Sequence, residues 1–207
     1  MDNQALKKTR VRKSREDRIA EILAVATAIF INEGYSELTL RRVAKDVGIR
    51  LSTVQYYFES KDELLDSLLR ARIDSYRTSL ARFKEDAEGN SEQLLSSYIL
   101  YLLSAADEKE TCGFFTQLWA MGFQNDVSRG QLAYMYETHR EDLAILIQAI
   151  IPALSKLECL KRATIISSMI EGSLIHMGYG LPRKPEFEGV RERMHAQIMA
   201  IALEQQK

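Results

Sequence analysis

Hydrophobic residues recur at steps of three and four along most of the chain, and no stretch alternates with the period of two typical of a half-buried strand. The first run follows the capping box Ser14-Arg-Glu-Asp17 and stops at Asn32-Glu-Gly34. A short second run starts after Thr39, continues through Asp46 and is followed by Gly48, a residue suited to a left-handed helix end. A third short helix is predicted to begin at Ser52.

The rest of the chain continues as longer amphipathic runs. The capping box Ser60-Lys-Asp-Glu63 opens a fourth helix that is expected to end near Glu88-Gly89-Asn90, and Ser91 is expected to cap a fifth. Asp107 to Glu110 are interpreted as a polar link. Further helices are expected over 114–123 and about 127–151, 158–177 and 188–204. The predicted fold class is all-α, with about nine helices.

The second and third predicted helices and the glycine between them form a helix-turn-helix pattern. In such a unit the second short helix enters the major groove of DNA while its partners hold the backbone. A groove about 12 Å wide accepts one helix, and two turns suffice to span about three or four base pairs. The spacing therefore indicates a DNA-reading unit.

Charge is distributed unevenly along the chain. The whole sequence has 28 Lys and Arg against 29 Asp and Glu, a net charge of -1, which by itself argues against a nucleic-acid partner. Residues 1–61, however, contain 12 basic and 8 acidic residues, whereas residues 62–207 contain 16 and 21. A basic N-terminal part thus precedes an acidic remainder. Residues 1–13 are interpreted as a flexible basic arm that contacts the minor groove or phosphates, the alternative being a solvated tail.

These features together resemble the TetR family of bacterial transcriptional repressors over about the first 65 residues. The ending Tyr-x-Phe-x-x-Lys-x-x-Leu is specific to that pattern. The matching residues are Ala28-x-Phe30, Gly34-Tyr35, Leu38-Thr39-x-x-x-Val43-Ala44, Val47-Gly48-Ile49, Thr53-Val54 and Tyr56-Tyr57-Phe58-Glu-Ser60-Lys61-Asp-Glu63-Leu64.

The resemblance implies a DNA-binding role for individual positions. Thr39 lies at a helix start, where its hydroxyl and free N–H groups favour a phosphate, although plain capping fits the same geometry. Tyr56 and Lys61 resemble the backbone clamps of the family. The full set of expected DNA-binding residues is Thr39, Arg41, Arg42, Arg50, Leu51, Ser52, Thr53, Gln55, Tyr56 and Lys61.

Two of these positions depart from the family pattern. Gln55 stands where Tyr is common; it either pairs with adenine in the major groove or folds back on the Ser52 N–H as a capping box. Leu51 occupies a frequently polar position, where it contacts a thymine methyl group or simply packs. The residues alone leave both choices open.

The second part of the chain implies a sensor and a dimer. Reading two successive major grooves of a palindromic operator requires a homodimer. Two C-terminal apolar stripes are candidates for its interface, burial inside one subunit being the alternative: Ile166, Met169, Ile170, Met194, Ile198 and Ile201. A small, largely apolar effector is expected among bulky side chains of the middle helices and two histidines, although such stripes also form ordinary cores: Tyr98, Tyr101, Phe115, Trp119, Phe123, Tyr136, His139 and His176.

A carboxylate at Glu171 interrupts an apolar helix, which is costly unless it is paired or turned outwards. It is interpreted as facing either a cationic ligand or the partner subunit. The fourth helix, which starts at the DNA-reading unit and runs into the sensor, is expected to couple effector binding to release of the operator.

Other classes of protein find little support in the sequence. There is no phosphate-binding glycine loop, nucleophile elbow or metal-ligand spacing, so no enzyme, catalytic residue, metal or cofactor is predicted. No membrane span or signal peptide is expected, and two distant cysteines suit the cytoplasm. The predicted division is a basic arm at 1–13, a helix-turn-helix domain at 14–61 and an effector-binding and dimerisation domain at 62–207. A helical small-molecule-binding or adaptor protein without specific DNA binding is the alternative.

Overall fold

The computed structural model describes residues 14–124 and 126–205, and within these ranges it contains nine α-helices and no strand. The predicted all-α fold with about nine helices is confirmed. The predicted basic arm at 1–13 lies outside the described residues. The helices are α1 (Arg15–Glu33), α2 (Leu40–Val47), α3 (Leu51–Tyr57), α4 (Lys61–Asp86), α5 (Ser91–Ser104), α6 (Lys109–Gly122), α7 (Asp126–Ile150), α8 (Lys156–Met177) and α9 (Val190–Leu203).

Side-chain caps place the ends of the N-terminal helices where the sequence indicates. The Ser14 hydroxyl accepts from the Asp17 N–H at 3.0 Å, and the Asp17 carboxylate accepts from the Ser14 N–H at 3.3 Å, which completes the predicted capping box. The Ser60 hydroxyl caps α4 by accepting from the Glu63 N–H at 3.1 Å, but the predicted capping box is only half formed, because the Glu63 carboxylate accepts from the Glu59 N–H at 2.7 Å. Gly34, with φ +96°, ends α1.

Two predicted helix starts in the second part are corrected. The side chain of Asn90, not Ser91, caps α5 by accepting from the Gln93 N–H at 3.0 Å. The predicted polar link ahead of α6 is instead a short 3-10 helix, Ala105–Asp107, followed directly by the first turn of α6. Acidic side chains are favoured at a helix N-terminus. The charged residues therefore form the first turn of α6, ahead of the start at residue 114 that the apolar pattern predicts.

Buried apolar side chains form two clusters. The first joins α1, α2 and α3 to the first half of α4 and to α6, so it continues past the domain boundary predicted at residue 61. The second joins α5, the second half of α7, α8 and α9. The boundary itself stays a prediction. Within the described ranges no helix is both long and apolar enough to cross a membrane.

Candidate nucleic-acid interface and internal cavity

The angle between α2 and α3 is fixed by the turn at Gly48. Gly48 has φ +74°, in the left-handed region, and its N–H donates to the Lys45 carbonyl at 3.1 Å. The next N–H, of Ile49, reaches back to the Ala44 carbonyl at 3.0 Å, which makes this a Schellman motif. At the other end of α2, the Thr39 hydroxyl accepts from the N–H of the third helical residue at 3.1 Å. Both ends of α2 are therefore closed by local hydrogen bonds.

One side of α3 is anchored in the core and the other faces solvent. Val54 is fully buried, as is nearly all of Phe58 directly after the helix. Ser52, Gln55 and Tyr56, spaced three and four residues apart on one helix face, are exposed. Of the other expected DNA-binding residues here, Arg50 is exposed and Leu51 and Thr53 are half-buried.

The structure removes one of the two interpretations of Gln55. Helix α3 begins at Leu51 with Arg50 as its N-cap residue, and no side-chain capping bond is present there. Ser52 is already inside the helix, so the predicted capping box between Ser52 and Gln55 is wrong. Helix α3 begins one residue before the predicted start at Ser52, because the Gly48 turn directs Leu51 into the half-buried position next to the core. Base reading by Gln55 stays a prediction.

The arginines of α2 differ in what they contact. The Arg42 guanidinium forms a bidentate pair with Glu33 at 2.7 and 2.8 Å and a third bond to Asp46 at 2.7 Å. These hydrogen bonds, to Asp46 first and then to Glu33, raise the pKa of Arg42. Arg41 is exposed and, among the described residues, has no ion pair or side-chain hydrogen bond. Arg42 therefore holds α2 to the end of α1, whereas Arg41 and Lys45 extend into solvent.

The two expected phosphate clamps also differ. Tyr56 is 77% exposed, and the edge of its ring contacts the Tyr57 ring at a centroid distance of 5.1 Å. The Lys61 ammonium donates to the Tyr35 carbonyl at 2.6 Å and lies 3.5 Å from the centroid of the Tyr35 ring. Burial lowers the pKa of Lys61. Lys61 thus attaches the start of α4 to the loop after α1, while Tyr56 is free to reach a ligand.

A cavity lies between α4, α5, α6, α7 and α8. It measures about 600 Å³ when the space that is open to solvent is counted. Its walls are mostly aromatic and aliphatic. They are formed by Ile73, Tyr76, Tyr98, Leu102, Ala105, Thr111, Phe115, Met135, Tyr136, Thr138, His139, Asp142, Ile170, Glu171 and Leu174.

Two polar groups in this cavity are buried without a hydrogen-bond partner among the described residues. They are Oε2 of Glu171 and Nε2 of His139. Burial raises the pKa of Glu171 to about 7 and lowers that of His139 to about 4. Asp142, in contrast, receives two bonds from Arg77 at 3.0 and 3.1 Å. The Asp142 carboxylate is therefore paired with a cation, whereas the Glu171 carboxylate is not.

Only part of the expected effector site lines this cavity. Tyr98, Phe115, Tyr136 and His139 do so. Trp119 lies behind the wall, where its indole N–H donates to the Tyr136 hydroxyl at 2.6 Å.

The other three expected effector residues do not line it. Tyr101 stacks on Tyr98 with ring centroids 6.1 Å apart and shares a hydrogen bond with the Ser79 hydroxyl. Phe123 is 84% exposed, and His176 faces solvent on α8. Tyr76 and Asp142 are lining residues that the sequence reasoning missed, because no local pattern distinguishes them from the rest of their helices.

An aromatic contact joins the DNA-reading part to the cavity wall. The ring of Phe30 on α1 meets the edge of Phe114 on α6 at a centroid distance of 5.6 Å, and Phe114 contacts Phe115 at 5.4 Å. Nearby, a Cβ placed on Gly113 would lie 2.6 Å from Cγ2 of Ile31. Helix α6 therefore packs directly on α1, a contact that the sequence reasoning, which considered only α4, did not include.

The expected dimer residues divide into buried and accessible ones. Ile166, Ile170 and Ile198 belong to the core of the chain itself, with at most 5% of each exposed. They are therefore unavailable to a partner, and that part of the expectation is corrected: their stripe faces inwards because α8 packs along α7 and α9. Met169 and Met194 line an outer groove between α8 and α9.

The fold and the exposed face of α3 together define a helix-turn-helix protein whose second part is also helical. Residues 22–68 match the family described as bacterial regulatory proteins, tetR family. Over 125 residues the chain is 32% identical to an uncharacterized HTH-type transcriptional regulator of the dhlA 5′ region in Xanthobacter autotrophicus, covering 59% of this chain and 62% of that protein. The chain thus spans less than two thirds of this curated relative.

Solved structures extend the likeness to the whole fold. A TetR transcription regulator from Haloarcula marismortui aligns with a TM-score of 0.66 at 18% identity, covering 90% of this chain and 97% of that one. A TetR transcriptional regulator from Legionella pneumophila gives 0.65 at 20% identity, covering 90% and 98%. At these identities the likeness establishes the fold. Residues 22–68 thus match the TetR family, and the described helices as a whole share the fold of these regulators.

Proposed function

We propose that this protein is a ligand-responsive transcriptional regulator that binds a palindromic operator as a homodimer and leaves it when a small molecule occupies the internal cavity. The observation that carries the proposal is the exposed face of α3, with Ser52, Gln55 and Tyr56 on a helix held by the Gly48 turn. A short helix presented in this way fits the major groove.

The charges around this face support contact with DNA. Arg41 and Lys45 on α2 and Arg50 ahead of α3 are exposed and form no ion pair with the described residues, so these cations can bind phosphates without giving up such a pair. Base contacts are assigned to Ser52, Gln55 and Tyr56. Thr39, Leu51 and Thr53 support that face, while Arg42 and Lys61 mainly hold it in place through Glu33, Asp46 and Tyr35.

The dimer is proposed to form through the outer groove of α8 and α9. This groove is mostly apolar. Its accessible walls include two methionines, and Gly172 and the buried Ser173 and Met177 form part of its floor. The lining residues are Met169, Gly172, Ser173, His176, Met177, Glu186, Phe187, Val190 and Met194. Ile165 and Ile175 on α8 add exposed apolar area next to it, at 50% and 59% exposure. A two-fold pairing on this face would place two α3 helices on one operator.

The response to an effector is proposed to use two routes. Helix α4 contributes Tyr76 to the cavity and begins at Lys61 beside the reading unit. Helix α6 contributes Phe115 and meets α1 through Phe30 and Phe114. A ligand bound between these walls would contact both helices, and both would pass a movement of the walls to α1–α3.

Selection of genomic fragments by the purified protein, followed by binding titrations at several salt concentrations, tests the proposal. We expect one inverted-repeat site to be enriched and its affinity to fall steeply with salt, because phosphate contacts release counterions. The double substitution Gln55→Ala and Tyr56→Ala should abolish selection of that site. The matched control is the double substitution Gln93→Ala and Tyr134→Ala, at exposed positions on α5 and α7 outside the reading face.

Two results would contradict the proposal. Absence of DNA binding at low salt would favour a helical carrier or adaptor without DNA recognition. Binding that is independent of salt would also count against it, since a protein that reads DNA through cations has to respond to ionic strength.

A further inference from the structure

A buried carboxylate oxygen lies in the cavity wall close to a hydrogen-bonded aromatic pair. The Trp119 indole N–H donates to the Tyr136 hydroxyl at 2.6 Å. Tyr136 and Glu171 both line the cavity. Of the two Glu171 carboxylate oxygens, Oε2 is buried and has no partner among the described residues. One oxygen of this carboxylate therefore remains open to a donor that enters the cavity.

No cation of the described chain neutralises Glu171. Of the nearby arginines, Arg77 is engaged by Asp142 at 3.0 Å, and Arg72 donates to the Thr111 hydroxyl at 3.3 Å and lies over the Tyr76 ring. Arg140 lies in an outer groove that Glu171 also lines, but no ion pair joins the two within 4.0 Å.

Three further titratable side chains that line the cavity are neutral at pH 7. Burial lowers the pKa of His139 to about 4 and raises the pKa values of Tyr76 and Tyr136. Neutral His139 leaves Nε2 able to accept a hydrogen bond. The charge that would complete this site has to come from a ligand.

The walls suit the rest of such a ligand. Four aromatic rings, those of Tyr76, Tyr98, Phe115 and Tyr136, line the cavity together with aliphatic side chains. Aromatic faces attract cations and also pack against apolar groups, and both effects are larger where water is excluded. In a ligand with a cationic group and an apolar body, the cation would therefore meet Glu171 and the aromatic faces, and the body would pack against the apolar walls.

We propose that the cavity binds a protonated organic amine, whose N–H donates to Oε2 of Glu171 and whose aromatic or branched body lies among the ring-bearing side chains. The inference rests on the function proposed above, in which this cavity is the effector site. No covalent step is involved: one charge-assisted hydrogen bond forms, and any proton already on Glu171 is released to solvent.

Other ligand classes fit these residues less well. An anion would meet the two carboxylates of Glu171 and Asp142, and within the described ranges no group of three His, Cys, Asp or Glu side chains is arranged to hold a metal ion. A neutral apolar molecule would leave the buried Oε2 unpaired, which is unfavourable in a site of low dielectric constant. An amine supplies both the missing charge and the missing donor.

The chain provides its own reporter for a test. Trp119 is the single tryptophan of the sequence, and it donates to Tyr136, which lines the cavity together with Glu171. Its fluorescence can therefore be followed while the full-length protein is titrated with benzylamine, 2-phenylethylamine and 4-phenylbutylamine, and with the neutral alcohol of each skeleton. Isothermal calorimetry on the same pairs gives the affinities and, in two buffers, the protons released.

We expect at least one amine to bind about tenfold or more tightly than its alcohol, the difference that one charge-assisted hydrogen bond supplies. The substitution Glu171→Gln keeps the shape and removes the charge, so it should abolish that preference, whereas Glu137→Gln, on the exposed side of α7, should not. With a pKa of about 7, Glu171 should release roughly half a proton per bound amine at pH 7, and the Glu171→Gln protein should release none.

Three results would overturn the inference: alcohols that bind as tightly as amines, an amine affinity unchanged by Glu171→Gln, or no binding by any of the amines at concentrations up to about 10 mM. Operator binding by the Glu171→Gln protein separates this failure from failure of the proposed function. Retained DNA binding without any amine response refutes the amine alone. Amine binding by a chain that never binds DNA refutes the regulator instead.

Discussion

The helix-turn-helix unit and the internal cavity treat their polar groups in opposite ways. Local hydrogen bonds close both ends of α2 and the start of α1, and the guanidinium of Arg42 and the ammonium of Lys61 each have partners within the chain. In the cavity, Glu171 and His139 each have a buried atom without a partner among the described residues. The first arrangement fixes a surface in place. The second leaves buried atoms open to a donor or acceptor that comes from outside the chain.

Removing the side chain that joins the two regions should destabilise the chain more than any other substitution considered below. Phe30 is fully buried against Phe114, and Phe30→Ala should lower the free energy of unfolding by about 3–5 kcal/mol. Chemical denaturation followed by circular dichroism measures it. The control is Phe123→Ala, which removes the same side chain where it is 84% exposed and should change stability little. A loss below about 1 kcal/mol for Phe30→Ala would show that α1 is not held by α6.

A second prediction concerns the unpaired carboxylate. Its pKa is raised from 4.5 to about 7, so between those values the folded chain holds a proton that the unfolded chain has released. The stability that this proton provides is lost as the pH rises towards 7 and above. Glu171→Gln removes this pH dependence. Between pH 5 and pH 8, the unfolding free energy of the Glu171→Gln protein should therefore rise by on the order of 2 kcal/mol relative to that of the original chain.

The comparison of the two proteins is needed because His139 acts in the opposite sense. Its pKa is lowered to about 4, so its contribution to stability is lost as the pH falls from about 6.5 towards 4. That contribution is present in both proteins and cancels between them. Equal pH profiles of the two proteins in thermal denaturation would show that Glu171 is solvated or paired.

A third prediction tests the rigidity of the reading unit at its turn. Gly48 has φ +74° with open space around it, so Gly48→Ala should cost about 1 kcal/mol through backbone strain alone. Gly130, inside α7, also has nothing within 4 Å of the position of a Cβ, and Gly130→Ala should stabilise the chain by about 0.5–1 kcal/mol. Changes of the same sign in urea denaturation would contradict the assignment of the turn.

The smallest expected effect separates a free arginine from a paired one. If the proposed operator binding holds, Arg41→Ala should reduce the slope of log affinity against log salt by about 0.9, the value for one phosphate contact. Arg42→Ala should change the slope less, because Glu33 and Asp46 already hold its guanidinium. Equal changes in fluorescence-anisotropy titrations would mean that DNA draws Arg42 away from its carboxylates.

Sequence reasoning reached the reading unit because its determinants are local. The capping box at Ser14, the N-cap at Ser60 and the glycine after α2 each act within a few residues, so their spacing is visible in the chain. The error at α3 has the same origin: Ser52-Thr-Val-Gln55 has the spacing of a capping box, but the turn before it had already started the helix. The residue types alone are consistent with a cap at Ser52, but Leu51 packs against the core as the first residue of the helix, so Ser52 is not the N-cap.

The cavity was only partly predictable because its walls come from five helices distant in sequence. Periodicity places Phe115 and Phe123 on an aromatic helix but does not reveal that one faces the cavity and the other solvent. The stripe containing Ile166 and Ile198 likewise has the period of a helix interface. Whether that interface lies within one chain or between two depends on how α7 covers α8, which no local pattern encodes.

The contact between Gly113 and Ile31 also sets a rule for building hybrids. A Cβ at position 113 would lie 2.6 Å from Cγ2 of Ile31, so any residue larger than glycine there requires the Ile31 side chain or one of the two helices to shift. If the function proposed above holds, a chimera that joins α1–α3 of this chain to the remaining helices of another regulator should therefore carry glycine at the equivalent of position 113, or a smaller residue at the equivalent of Ile31. That pair then becomes the first position to match when two such proteins are recombined.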